Sequence, residues 1–137
     1  MVTLDLARRL IAAGEEEAER QGLKLSFAVV DAGGHVVAVA RMDDADWITP
    51  EVALGKAWTA AAYRLPSDAQ GQKAKDLVAF AGAISAATHG RYTPQIGGLP
   101  IPVDGKPSGG MGASGASGQE DESVVRAALE SVLGESA

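Results

Sequence analysis

The stretch Leu99-Pro-Ile-Pro-Val-Asp-Gly-Lys-Pro-Ser-Gly-Gly-Met-Gly-Ala-Ser-Gly-Ala-Ser-Gly-Gln-Glu-Asp-Glu122 decides how this chain folds. It reads as a strand to Val103, a tight turn at Asp104-Gly105, a glycine-rich second strand, and a loop that opens the last helix. Asp-Gly supplies the positive φ that a two-residue hairpin turn requires. Prolines at 100, 102 and 107 remove ladder donors, which places this hairpin at a sheet edge or a bulge. With so many glycines, backbone rather than side chains is expected to meet the ligand here.

Upstream, Thr3 is the expected N-cap of a helix to about Gln21, because Leu6, Ala7, Leu10, Ile11, Gly14 and Ala18 recur at helical spacing. Gly22 ends it. Leu25–Asp31 and His35–Met42 are β-rich runs joined by Ala32-Gly33-Gly34, a hairpin signal. After a polar loop, Thr49-Pro50-Glu51 reads as N-cap, N1 proline and acidic first turn of a helix to about Arg64. Its alanines make it thin enough to lie close to a neighbour. Pro66 breaks it, Ser67 is expected to cap a short turn or helix through Lys73, and Lys75–His89 reads as one further helical stretch before Gly90. Arg91–Ile96 is a weak strand candidate, and Gln119–Leu133 is the final helix, apolar at Val124, Val125, Ala128, Leu129, Val132 and Leu133. Counting gives an α/β (α+β) fold with a single antiparallel five-stranded sheet flanked by helices.

A chain of 137 residues is read as one domain, 1–137. Without cysteine it has no disulfide, thiolate metal site or cysteine nucleophile. No apolar run approaches the roughly 18 residues of a membrane span. Net charge is −6 and the basic residues are scattered, so the phosphate-neutralising stripe of a nucleic-acid binder is missing. The N-terminus enters an amphipathic pattern directly, which gives the expectation of a cytoplasmic protein. Aromatics are only 4% of residues, so core volume must come from small side chains and closely approaching backbones.

Gly110-Met111-Gly112-Ala113-Ser114-Gly115 matches the three-glycine dinucleotide fingerprint letter by letter. The fingerprint needs a βαβ unit and an acidic residue about 20 positions later, and only one helix remains here. The glycines therefore serve either close packing of strand on helix or free N–H groups before Gln119, suited to a carboxylate or propionate. Glu120, Asp121 and Glu122 open the last helix, where the macrodipole favours each by roughly 0.3–1 kcal/mol. The alternative roles are a functional acid facing the glycine loop, or a surface metal patch with Glu15 to Glu19. His89 precedes Gly90 at an expected helix C-terminus, where carbonyls stabilise an imidazolium. His35 opens the second strand. These two are the imidazoles available to an iron porphyrin, with Tyr63, Tyr92 and the methionines behind them. No His-x-x-x-His or carboxylate–histidine spacing marks a metal site. Lys56, among small residues, is either a desolvated cation for a ligand carboxylate or a snorkelling side chain, with Arg41 and Asp43 on the loop beside it. Ser114 has no visible base partner, which argues against a hydrolase nucleophile.

Taken together, Val29-Val30-Asp31-Ala32-Gly33-Gly34-His35-Val36-Val37-Ala38, Arg41-Met42-Asp43, Lys56-Ala57-Trp58-Thr59-Ala60-Ala61, Gly97-Gly98-Leu99-Pro100-Ile101, Asp104-Gly105, Gly112-Ala113-Ser114-Gly115 and Asp121-Glu122 resemble the GlcG/HbpS family of small haem-binding or haem-degrading domains. The same domain forms the C-terminal part of PduO-type corrinoid adenosyltransferases. The resemblance implies a profilin-like fold and symmetric homo-oligomers, octamers in the best-known branch. It leaves two functions open. In the first, a cytoplasmic oligomer binds haem or a comparable anionic cofactor, with Arg41, Lys56 or Arg91 for carboxylates and His35 or His89 as axial ligand. In the second, a catabolic enzyme or accessory protein takes a small carboxylate or aldehyde near Arg41, Asp43, Lys56, Asp121 and the loop of Gly112, Ser114 and Gly115, at a subunit interface. A purely structural interaction module without ligand is a third reading.

Overall fold

The computed structural model describes residues 1–134, so the last three positions of the expected domain lie outside the described residues. Helix α1 (Leu4–Arg20) is followed by strands β1 (Ser26–Asp31) and β2 (Val36–Arg41), helix α2 (Thr49–Tyr63), a single 3₁₀ turn (Ser67–Gln70), helices α3 (Gly71–Asp76) and α4 (Val78–Ala87), strands β3 (Gly98–Val103) and β4 (Lys106–Ser114), and helix α5 (Gly118–Leu133). The strands form one antiparallel sheet in the order β2-β1-β4-β3. Strand β3, with Pro100 and Pro102, is an edge strand, and its register with β4 shifts between those two prolines. The hairpin turn falls at Asp104 and Gly105, both at positive φ.

The sheet separates two unlike cores. On one face Phe27, Val29, Leu99, Ile101, Met111 and Ala113 pack with Leu6 and Leu10 of α1 and Val124, Val125 and Leu129 of α5. Burying each such large side chain contributes roughly 1.5–3 kcal/mol, which makes this face the main hydrophobic store. On the other face Ala28 and Val30 meet Ala53, Leu54, Ala57 and Ala61 of α2. Here β4 presents Gly110 and Gly112, and a Cβ on either would collide with the α2 backbone at Ala57 and Ala53. Glycine in β4 thus lets a helix lie directly on strand backbone, and that backbone meets α2 instead of a ligand.

Four sequence expectations are corrected. The sheet has four strands, because Arg91–Ile96 forms no ladder. Its backbone is held by side chains instead: Thr93 N–H donates to Thr59 Oγ1, Tyr92 N–H to Thr88 Oγ1, and Ser67 Oγ donates to the Gln95 carbonyl. Ser67 therefore does not cap the 3₁₀ turn, and its buried hydroxyl also accepts from Gly98 N–H at 2.9 Å. Thr49 is inside α2 rather than its N-cap, because its hydroxyl reaches back to the Asp46 carbonyl and pairs with Ser26 Oγ. The expected helix from Lys75 to His89 is broken at Leu77, whose non-helical backbone (φ −119°, ψ 68°) separates α3 from α4.

Helix α4 is anomalous. No charged residue occurs between Leu77 and Thr88, yet α4 buries no side chain, and Leu77, Val78 and Phe80 are exposed.

Candidate functional site

Strand β1 has a different acid–base pair near each end. Near the Ser26 end, Lys56 rises from α2 past the glycines at 97 and 98, where a Cβ on Gly97 would lie 2.6 Å from its Nζ. The ammonium donates to the Ala113 carbonyl at 3.0 Å and to Asp121 Oδ2, on α5, at 3.1 Å. Asp121 Oδ1 accepts from Ala116 N–H at 3.0 Å. Both side chains are buried. Burial pushes the Asp121 carboxyl up from its ordinary value, more than the Lys56 charge and the Ala116 amide pull it down.

A cavity of about 420 Å³ opens beside this pair, lined by Val52, Lys56, Gln95, Ile96, Ser114, Ala116, Gly118, Gln119 and Asp121. Ser114 is 8% exposed and lies across from Ser26 on β1. Ser26 commits its hydroxyl to Thr49, 2.8 Å away. At the cavity floor α5 begins with a capping box, Ser117 Oγ accepting from Glu120 N–H and Glu120 Oε1 from Ser117 N–H. Glu120 is therefore spent on the helix start, whereas Asp121 faces inward.

The other end of β1 carries Asp31. Its Oδ1 accepts from Gly33 N–H at 3.0 Å and His35 N–H at 2.9 Å, and lies 3.2 Å from His35 Nδ1. These contacts hold the Asp31 carboxyl below its ordinary value, the His35 amide most of all. With Nδ1 against the carboxylate, Nε2 of His35 points to solvent from a side chain that is 82% exposed. Gly34 sits against the Trp58 indole of α2, and Val36 and Val39 are exposed on edge strand β2. Arg64, the left-handed C-cap of α2, lines a cavity of about 200 Å³ with Ala32 and Gly109 at this same end. Asp31 and Arg64 are the residues that sequence reasoning missed. The Asp31-to-His35 spacing was visible, but its meaning depends on the turn folding the imidazole back onto the carboxylate.

The remaining candidates lie elsewhere. Arg41 and Asp43 line a cavity of about 300 Å³ with Glu15, Glu19 and Lys24, apart from Lys56. There Glu15 is pushed up by burial first and by Glu19 second. Among the described residues no cluster of three acids or imidazoles could hold a metal ion. Arg91 faces Glu51 at 3.8 Å. Gly112 is covered by α2 and Gly115 by the Lys24 backbone. His89 ends α4 at positive φ, exposed and remote in sequence from any carboxylate. Tyr92 is buried beside Tyr63, with ring centroids 6.1 Å apart, and burial raises its phenol, which makes it a poor anionic ligand.

These features define a small α+β domain with two polar sites at opposite ends of one central strand. The chain belongs to the HbpS-like family, whose pattern, described as haem degrading protein HbpS-like, matches residues 2–130. Protein GlcG of Escherichia coli K12 is 35% identical over 114 residues, covering 83% of this chain and 81% of its own. A double mutant of Streptomyces reticuli HbpS has a similar structure, with 32% identity and a TM-score of 0.79, covering 96% of this chain and 86% of that one. The PduOC:haem complex is likewise similar, at 28% identity and a TM-score of 0.82, covering 92% of this chain and 91% of that one. Among the described residues no helix is long and apolar enough to cross a membrane.

Proposed function

We propose that this chain is a cytoplasmic, self-associating protein of profilin-like build that binds haem through His35. The observation that carries the reading is the Asp31–His35 pair. A carboxylate on Nδ1 fixes the tautomer and the ring orientation, which is how metal-ligating histidines are commonly prepared. The residues around it fit a flat apolar ligand with acidic edges: Trp58 and the exposed Val36 and Val39 supply apolar surface, and Arg64 supplies a cation for a propionate. Bound there, haem would bring redox chemistry, while the chain's part is to hold the ligating nitrogen, the propionate and one apolar face.

Self-association is part of the same proposal. A ten-residue helix without charge is marginal alone in water and is ordinarily covered. A second subunit on α4 supplies that cover, and the octamer implied by the family resemblance is one such assembly.

Titrating the protein with hemin tests the haem reading. A saturable Soret shift is expected, retained in His89→Ala and lost in His35→Ala. Absence of saturation in the wild type overturns haem binding, and loss in His89→Ala alone overturns the role of His35. Light scattering reports self-association, and a monomer at all concentrations overturns it.

A further inference from the structure

We infer that the cavity beside Lys56 and Asp121 is a second binding site, for a small aliphatic carboxylate. It does not rest on the haem reading, since it lies at the Ser26 end of β1 and the His35 partner Asp31 at the other, about five residues or roughly 17 Å away at 3.3–3.4 Å per residue.

Asp121 has both oxygens engaged, one by Ala116 N–H and one by Lys56. What the wall offers a ligand is therefore mostly donors. The Lys56 ammonium has three N–H groups and two hydrogen bonds to protein, so one donor remains. Ser114, more than nine-tenths buried on the cavity wall, has a hydroxyl with no hydrogen-bond partner among the described residues. Gly118 and Gln119 occupy the first turn of α5, where backbone N–H groups have no intrahelical acceptor. Glu120 and Asp121 amides are already taken by Ser117 Oγ and the Ser117 carbonyl. An acceptor-only group satisfies this set, and a carboxylate is such a group.

The rest of the lining sets the other half of the ligand. Val52, Ile96 and Ala116 are apolar, and the cavity falls within the roughly 300–1,000 Å³ of small-molecule sites. A short carbon chain placed against them leaves its carboxylate at Ser114, Lys56 and the start of α5. Inorganic phosphate satisfies the donors but leaves the apolar wall bare.

Amide chemical shifts of the full chain, followed during titration with butyrate at ionic strength fixed by chloride, test the site. Saturable shifts are expected at Ser114, Ala116, Gly118 and Gln119, with butyramide and phosphate each at least about tenfold weaker. Ser114→Ala should weaken butyrate about tenfold, the scale of one lost hydrogen bond to a charged group. Gln119→Asp, exposed and tolerated at a helix start, should weaken it further by placing a carboxylate at the mouth. No saturation, equal binding of butyramide or phosphate, or indifference to both substitutions overturns the inference.

Discussion

Lys56–Asp121 and His35–Asp31 are both acid–base pairs tied to β1, and burial sets them apart. At the first, two charges are held out of water, the partners come from helices on opposite faces of the sheet, and glycine clears the path. At the second, the pair is local, solvated and made by one turn. A buried pair gains little net stability over a well-packed apolar substitute but is costly to break, whereas an exposed pair contributes little either way. The first pair is thus held by shape and satisfied largely by protein, whereas the second stands open to solvent.

Breaking the buried pair should have the largest effect. Asp121→Ala leaves the Lys56 ammonium without its counter-charge and should cost about 3–5 kcal/mol in urea unfolding. Replacing both partners, Lys56→Met with Asp121→Leu, should recover most of that loss. A loss below about 1 kcal/mol for the single variant would place the pair with ordinary surface contacts.

Adding one methyl group at each end sharpens the contrast. Gly112→Ala drives a Cβ into the α2 backbone at Ala53 and Ala57 and should cost about 1–3 kcal/mol. Gly33→Ala meets the exposed His35 ring, which can swing away, and its midpoint in urea should stay near that of the wild type. Equal losses would mean that both ends are equally packed.

The smallest effect is electrostatic and opposite in sign at the two ends. Asp31 sits below its ordinary 3.8 because amides hold its charged form, so its stabilising contribution is present above that value and is lost as pH falls through the folded one. Asp121 sits above 3.8 because burial disfavours its charge, so its contribution is present below that value and is lost as pH rises through the folded one. A carboxyl-carbon NMR titration should show Asp31 deprotonating first. The reverse order would mean that burial does not govern Asp121.

Local chemistry explains which parts were legible in the sequence. The Asp104-Gly105 hairpin, Pro100 and Pro102 on an edge strand, and the apolar faces of α1 and α5 follow from turn rules and period and stand as expected, while Pro107 lies on the interior strand β4. The segment after Gly90 misled because Tyr92 and Ile96 look like strand residues, while its backbone bonds go to the side chains of Thr59, Thr88 and Ser67 and not to a neighbouring strand. Of the residues proposed for one site, the structure brings Lys56, Ser114 and Asp121 together and sends Arg41, Asp43 and Arg91 elsewhere. The Lys56–Asp121 contact spans 65 residues, and no spacing rule reaches that far.

The course of Lys56 around the end of the sheet bears on how the molecule comes apart. Helices α2 and α5 lie on opposite faces and share no direct backbone contact among the described residues. Among the described residues the side-chain tie between them is a pair of buried charges, so peeling α2 from the sheet strands Asp121 on the layer that stays behind. The two layers are thereby fastened into one cooperative unit, and partial opening from the α2 side carries the cost of disturbing α5 as well.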